Sequence, residues 1–154
     1  DVPDLTIVSP DAGVIERARA IAKRQEADLA LLDKRRVAAN EAEVHHVIGD
    51  VEGRSVLILD DIIDTAGTLV KSVAALKEQG ADRVLAAAVH AVLSGPALDR
   101  LTESAIEQVL VTNTTPMDEK LSVCSKLRPF TVAPLLGEAI HRIHEQSSVS
   151  SLFV

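Results

Sequence analysis

A run of nine residues, Asp60-Asp61-Ile62-Ile63-Asp64-Thr65-Ala66-Gly67-Thr68, gathers three carboxylates, two hydroxyls and a glycine into one short stretch. Ionised carboxylates only accept hydrogen bonds, so Asp60 and Asp61 repel a phosphate and suit a vicinal diol. Thr65, Thr68 and the backbone amides around Ala66 and Gly67 are donors and suit a phosphate, with Gly67 permitting close approach. The stretch has no lysine, which leaves the anion to neutral donors. A phosphate and a diol a few residues apart describe a ribose phosphate. The plain alternative is that Asp60 and Asp61 end a strand and Asp64 caps a helix.

Two further segments carry chemistry. Ser9-Pro10-Asp11-Ala12-Gly13 offers a carboxylate in a turn, where Ser9 or Asp11 would also serve as a helix N-cap. Lys34-Arg35-Arg36 is a basic cluster in a chain of formal net charge -7. Local positive charge in an acidic protein suits a small anionic ligand, a solvated basic loop being the alternative. The overall charge argues against nucleic acid or an anionic membrane surface, since both reward clustered Lys and Arg. His90 reads as a structural strand-end residue, and His141 and His144 as the polar face of a helix. The single cysteine, Cys124, excludes an internal disulfide, reads as a core thiol and fits a reducing cytosol. The longest apolar run, Val84 to Leu93, falls far short of the ~20 residues of a membrane helix, and no signal peptide opens the chain.

The elements that must position these residues emerge from hydrophobic patterning. Of the 154 residues 47% are apolar but only 1% aromatic, so the core is built from Leu, Ile, Val and Ala, as suits an α/β fold of one domain spanning 1–154. Strands are expected at 5–8, 29–32, 56–59, 84–89, 109–111 and 131–132, with a possible short strand at 43–48. Several are apolar on successive residues, the mark of a parallel sheet covered on both faces. Helices are expected at 14–25, 69–79, 96–101 with Pro96 at its first position, and 135–145. The stretch 34–40 reads as a mobile loop and 147–154 as a tail. Asp60 to Thr68 thereby stands at the carboxyl end of a buried strand and the start of a helix, where unpaired N–H groups attract anions.

The same stretch resembles the phosphoribosyl diphosphate (PRPP) binding motif of type I phosphoribosyltransferases and PRPP synthetases. The resemblance implies the type I phosphoribosyltransferase-like fold, a central parallel sheet with helices on both faces and a flexible loop. It also implies that Asp60, Asp61, Asp64, Thr65, Ala66, Gly67 and Thr68 bind ribose 5-phosphate. Other segments favour the synthetase. Val8 to Gly13 with Arg17-Ala18 is similar to the family's Ser-Pro-Asp segment, which makes Asp11 a Mg²⁺ ligand, although Val14 stands where the family usually has a second glycine. Asp33 to Arg36 resembles the catalytic loop, which makes Lys34 and Arg36 the cations that reach the transferring phosphates. His90 with Ser94-Gly95-Pro96-Ala97, Val111 to Thr114, Val132 to Leu136 and Ser148 to Phe153 match as well. The resemblance further implies a cytoplasmic enzyme that uses ATP and Mg²⁺ to convert ribose 5-phosphate to PRPP, and that assembles as a hexamer. The serine-rich end, Ser148 and Ser150 above all, would belong to a shared regulatory anion site. The chain begins without Met, as a processed or truncated product would, and corresponds to the C-terminal half of such an enzyme. Alone it is expected to bind ligand without turnover. A stand-alone phosphoribosyltransferase, a non-catalytic synthetase-associated subunit and a ribose-phosphate sensor are the alternatives.

Overall fold

The computed structural model describes residues 2–35 and 44–153, with the side chains of residues 34, 35, 44 and 45 outside the description. Seven strands form one sheet: β1 (Leu5–Ser9), β2 (Asp28–Arg35), β3 (Val44–Ile48), β4 (Ser55–Ile63), β5 (Arg83–Ala91), β6 (Gln108–Thr112) and β7 (Leu127–Phe130). Their order is β3-β2-β1-β4-β5-β6-β7, parallel except where β3 runs antiparallel to β2. The helices are α1 (Ile15–Arg24), α2 (Gly67–Glu78), α3 (Ala97–Glu103), α4 (Asp118–Val123) and α5 (Ala133–His144), followed by a 3₁₀ turn at Ser150–Phe153. The expected α/β class with a mostly parallel sheet is what the chain adopts.

The alternation of strand side chains divides the core in two. Val56, Ile58, Val84, Ala86, Val109 and Val111 face α2 and α3, where Val73, Leu76 and Leu101 are fully buried against them. Ile7 and Leu59 face the other way, against Ala18 and Ala22 of α1. Helices thus cover both faces, which is why these strands carry aliphatics on successive positions. β1 and β4 are neighbours, yet the chain leaves β1 toward β2 and leaves β4 toward β5. The carboxyl ends of β1 and β4 therefore flank the point where the winding reverses, the place where open α/β sheets bind ligands.

Three expectations need correction. The last strand lies at Leu127–Phe130 and not at 131–132, because the ladder that places Phe130 beside Thr112 holds it to β6, and Pro129 is tolerated on an edge strand. Lys34 and Arg35 continue β2, drawn into the strand by pairing with His45 and Val44, so the expected loop loses its first two residues. The rest of that loop, 36–40, lies outside the described residues. Pro96 stands at the N-cap of α3 and not at its first turn. α5 forms as expected, with Pro134 in its first turn, but none of its 12 residues is buried.

Candidate functional site

β4 delivers the two adjacent carboxylates. The strand does not stop at Leu59 but keeps its parallel ladder with β5 through Asp60 opposite Ala88 to Ile63 opposite Ala91. Asp60 is half-buried and Asp61 exposed, and the Asp61 amide donates to Asp60 Oδ1 at 2.8 Å. Burial pushes the Asp60 carboxyl above its ordinary range, and the neighbouring Asp61 adds to this, against the opposing pull of the Asp61 and Ile62 amides.

The turn after β4 is held from one side by the chain that leaves β5. Leu93 N donates to Ile63 O and Ser94 N to Asp64 O, each at 3.0 Å, and Ser94 Oγ donates to the Asp64 carboxylate. Asp64 is therefore engaged by Ser94 and does not cap α2, whose N-cap has no side-chain hydrogen bond. The cap itself is Ala66, buried and left-handed at φ 57° and ψ 6°. From there α2 begins, and its first internal bond runs from Val70 N to Ala66 O. Among the described residues no protein group accepts from the amides of Ala66, Gly67, Thr68 or Leu69, so four donors gather at one helix start.

These parts share one cavity of about 270 Å³, lined by Asp60 and by residues 62–69. Of the seven residues expected to hold ribose 5-phosphate, the structure brings Asp60, Asp64, Thr65, Ala66, Gly67 and Thr68 to this wall, and leaves Asp61 beside it. The methyl-free position at Gly67 has a neighbour that the sequence does not suggest: an added Cβ would meet Arg100 Nη1 at 3.2 Å. Arg100 donates to Thr65 O at 2.9 Å. Sequence reasoning misses both Ser94 and Arg100 as parts of the site. Ser94 has a signal, the Ser94-Gly95-Pro96 turn, whereas Arg100 lies 35 residues from Thr65 with none.

Asp11 closes the turn after β1. Its Oδ1 accepts from Gly13 N at 2.8 Å and Val14 N at 3.3 Å, while Ser9 Oγ donates to Asp11 O at 2.7 Å. Val8 is level with Ile58, two residues before Asp60, so Asp11 stands on the neighbouring strand end. Lys34 lies on β2 with its side chain undescribed, and Arg36 is outside the described residues. Ser148 and Ser150 lie at a folded end, where Arg142 donates to Ser148 O at 3.2 Å and to Ser151 Oγ, although Phe153 is 72% exposed. Among the described residues no three His, Cys, Asp or Glu side chains are grouped as a metal cage would require. Among the described residues no helix is long and apolar enough to cross a membrane.

The cavity at the carboxyl end of β4 thus sets unpaired amides beside a half-buried carboxylate. Residues 34–154 match the family model described as the phosphoribosyl synthetase-associated domain. The chain belongs to that family. It is 55% identical over 152 residues to a ribose-phosphate pyrophosphokinase of Neisseria meningitidis, covering 99% of this chain and 46% of that protein. Against the ribose-phosphate pyrophosphokinase of Nitrosomonas europaea it is 49% identical over 154 residues, covering 100% of this chain and 49% of that one. The crystal structure of phosphoribosylpyrophosphate synthetase from Mycobacterium smegmatis superposes with a TM-score of 0.85 at 38% identity, over 94% of this chain and 46% of that chain. This member of the family thus spans about half the length of the relatives it matches.

Proposed function

We propose that this chain is the ribose 5-phosphate half of an enzyme that transfers a diphosphoryl group from ATP to the C1 hydroxyl of ribose 5-phosphate, giving PRPP and AMP. The observation that carries the reading is the single wall on which residues 64–68 place unpaired amides and two hydroxyls beside the Asp60 carboxylate. The 5-phosphate seats on the α2 start, held by the amides of Ala66, Gly67 and Thr68 and the hydroxyls of Thr65 and Thr68, with the helix dipole in its favour. Asp60 and Asp61 accept from the 2- and 3-hydroxyls. That grip points the anomeric carbon away from the helix, toward the ends of β1 and β2, where Asp11 and Lys34 lie.

Attack by the C1 oxygen on the β-phosphorus spreads negative charge over phosphoryl oxygens, which Lys34 and Arg36 neutralise as AMP departs. Asp11 has one carboxylate oxygen committed to backbone amides, which leaves it a single-point ligand. That suits Mg²⁺, a hard cation that keeps most of its waters and is bound largely through substrate phosphates. When bound, the ion would screen charge on the diphosphate, with Asp11 orienting it. Hexameric assembly, a cytoplasmic setting and an anion site at Ser148 and Ser150 belong to the same reading.

Titration calorimetry of this chain with ribose 5-phosphate tests the proposal. Saturable one-site binding, weakened at least tenfold in Thr68→Val and unaffected by Lys34→Ala, is expected, since Lys34 would act on the transferring phosphates and not on the 5-phosphate. Equal damage from the two substitutions, or no binding at all, refutes it.

A further inference from the structure

We propose that Arg100, on α3, is the positioning residue of the phosphate cradle: it fixes the Thr65–Ala66 peptide so that the Ala66 amide is aimed and polarised toward the ligand. The proposal rests on the ribose 5-phosphate reading for the identity of the ligand. The orientation of the peptide comes from the protein alone.

Arg100 Nη1 donates to Thr65 O at 2.9 Å. A carbonyl and the N–H of the next residue belong to one planar trans peptide and point in opposite directions. The chain has no cis peptide bond among its described residues. Fixing Thr65 O therefore fixes the Ala66 N–H, which points the opposite way within that plane. Arg100 lies behind the turn, in a separate groove with Val70, Val73 and Glu103, whereas Thr65 and Ala66 line the cavity. The N–H is consequently directed away from Arg100 and toward the cavity.

The peptide needs such a hold. Ala66 sits at φ 57°, a left-handed conformation that is unfavourable for a non-glycine residue, and a peptide flip would move it elsewhere. The turn's other restraints act before this peptide, with Leu93 and Ser94 holding Ile63 and Asp64. Past it, α2 begins. Arg100 is the only side chain among the described residues seen to hydrogen-bond to the Thr65–Ala66 peptide. Its positive charge on the carbonyl also draws electron density from the N–H, which strengthens that donor toward an anion. In a cradle without lysine, this brings the effect of a cation to the phosphate through the backbone.

The test compares wild type, Arg100→Met and Arg100→Lys by two readouts: affinity for ribose 5-phosphate by calorimetry, and the Ala66 amide ¹H shift by NMR without ligand. Met keeps the apolar stem of an exposed side chain, and Lys keeps a donor to Thr65 O. Expected are about a tenfold loss of affinity in Arg100→Met (about 1.4 kcal/mol), partial recovery in Arg100→Lys, and an Ala66 amide proton moved upfield in Arg100→Met. An unmoved Ala66 amide overturns the proposal whatever the affinity does. If affinity falls while the amide stays, Arg100 touches the phosphate directly and is not a positioning residue. If the wild type binds no ribose 5-phosphate, the ligand reading fails, while the amide shift in the free protein still decides whether Arg100 sets this peptide.

Discussion

Gly67→Ala separates what the cradle needs from what the fold needs. Gly67 is the first residue of α2 and is not among the glycines with positive φ, so alanine meets no backbone strain there. In a helix interior the exchange gains roughly 0.5–1 kcal/mol, and less at the first position. The new Cβ would meet Arg100 Nη1 at 3.2 Å and Thr65 Oγ1 at 3.7 Å. The second distance is ordinary contact, and the first requires the guanidinium to give by a few tenths of an ångström, which loosens its bond to Thr65 O. A hydrogen bond to a charged group contributes about 1.5–3 kcal/mol, and the lower end applies because Arg100 is exposed. The loss exceeds the gain by about 1 kcal/mol, so thermal unfolding should stay within about 4 °C of wild type, given roughly 2–4 °C per kcal/mol at this chain length. Ribose 5-phosphate affinity should fall about tenfold, because the methyl displaces the residue that holds the turn of the cradle. Wild-type affinity in a folded Gly67→Ala protein would refute this account of the turn. A midpoint lowered by more than about 8 °C, twice that allowance, would show that Gly67 serves the fold instead.

Three further outcomes are expected. The Asp60 carboxyl is raised in the folded chain, so the folded state binds its proton more tightly than the unfolded state, and stability is lost as pH rises from the ordinary aspartate range through the raised value. Asp60→Asn should flatten that slope in urea titrations and stabilise the chain at neutral pH while weakening ribose 5-phosphate binding; an unchanged slope would show that Asp60 is not the group responsible. Lys126 Nζ donates to Leu101 O, Thr102 O and Ser104 O at 2.8–2.9 Å, closing the C-terminus of α3, so Lys126→Met should cost about 1–3 kcal/mol by chemical denaturation without changing ligand affinity. Gly49 has φ 116°, and an added Cβ would lie 2.9 Å from Ala30 Cβ and 3.0 Å from Leu29 O, so Gly49→Ala should cost more than about 3 kcal/mol; a midpoint like wild type would show that the β3–β4 connection yields more readily than its geometry implies.

The sequence is informative where a single local rule suffices. Leu57 to Leu59 announce a strand buried on both faces, and the Asp-Thr-Ala-Gly-Thr after it announces a helix start, so β4 and the start of α2 are legible in the sequence. Local rules fail where the partner lies far along the chain. Thr131 and Val132 have strand-forming side chains, yet the ladder with β6 selects Leu127–Phe130, and nothing within the segment encodes that register. α4 escapes notice although Asp118 and Glu119 stand in its first turn, because six residues are too few to show helical periodicity. Arg100 is invisible as a site residue for the same reason that it matters: only the packing of α3 beside α2 brings a side chain from the next crossover to Thr65 O.

α5 shows the opposite limit, a local rule obeyed without its usual consequence. Leu135, Leu136, Ile140 and Ile143 recur at helical spacing, the pattern that normally predicts burial, and they are 48–68% exposed. Phe130, which ends β7 on the approach to α5, is 56% exposed and lines an apolar groove with Leu59, Ala87 and Leu110. Periodicity therefore specifies the helix and the side that is apolar, but it cannot specify a partner, because the hydrophobic effect rewards removal from water without naming the surface that does it. The same distinction governs the cradle. Residue types set which donors the α2 start offers, and distant residues, Ser94 and Arg100, hold the turn that carries them.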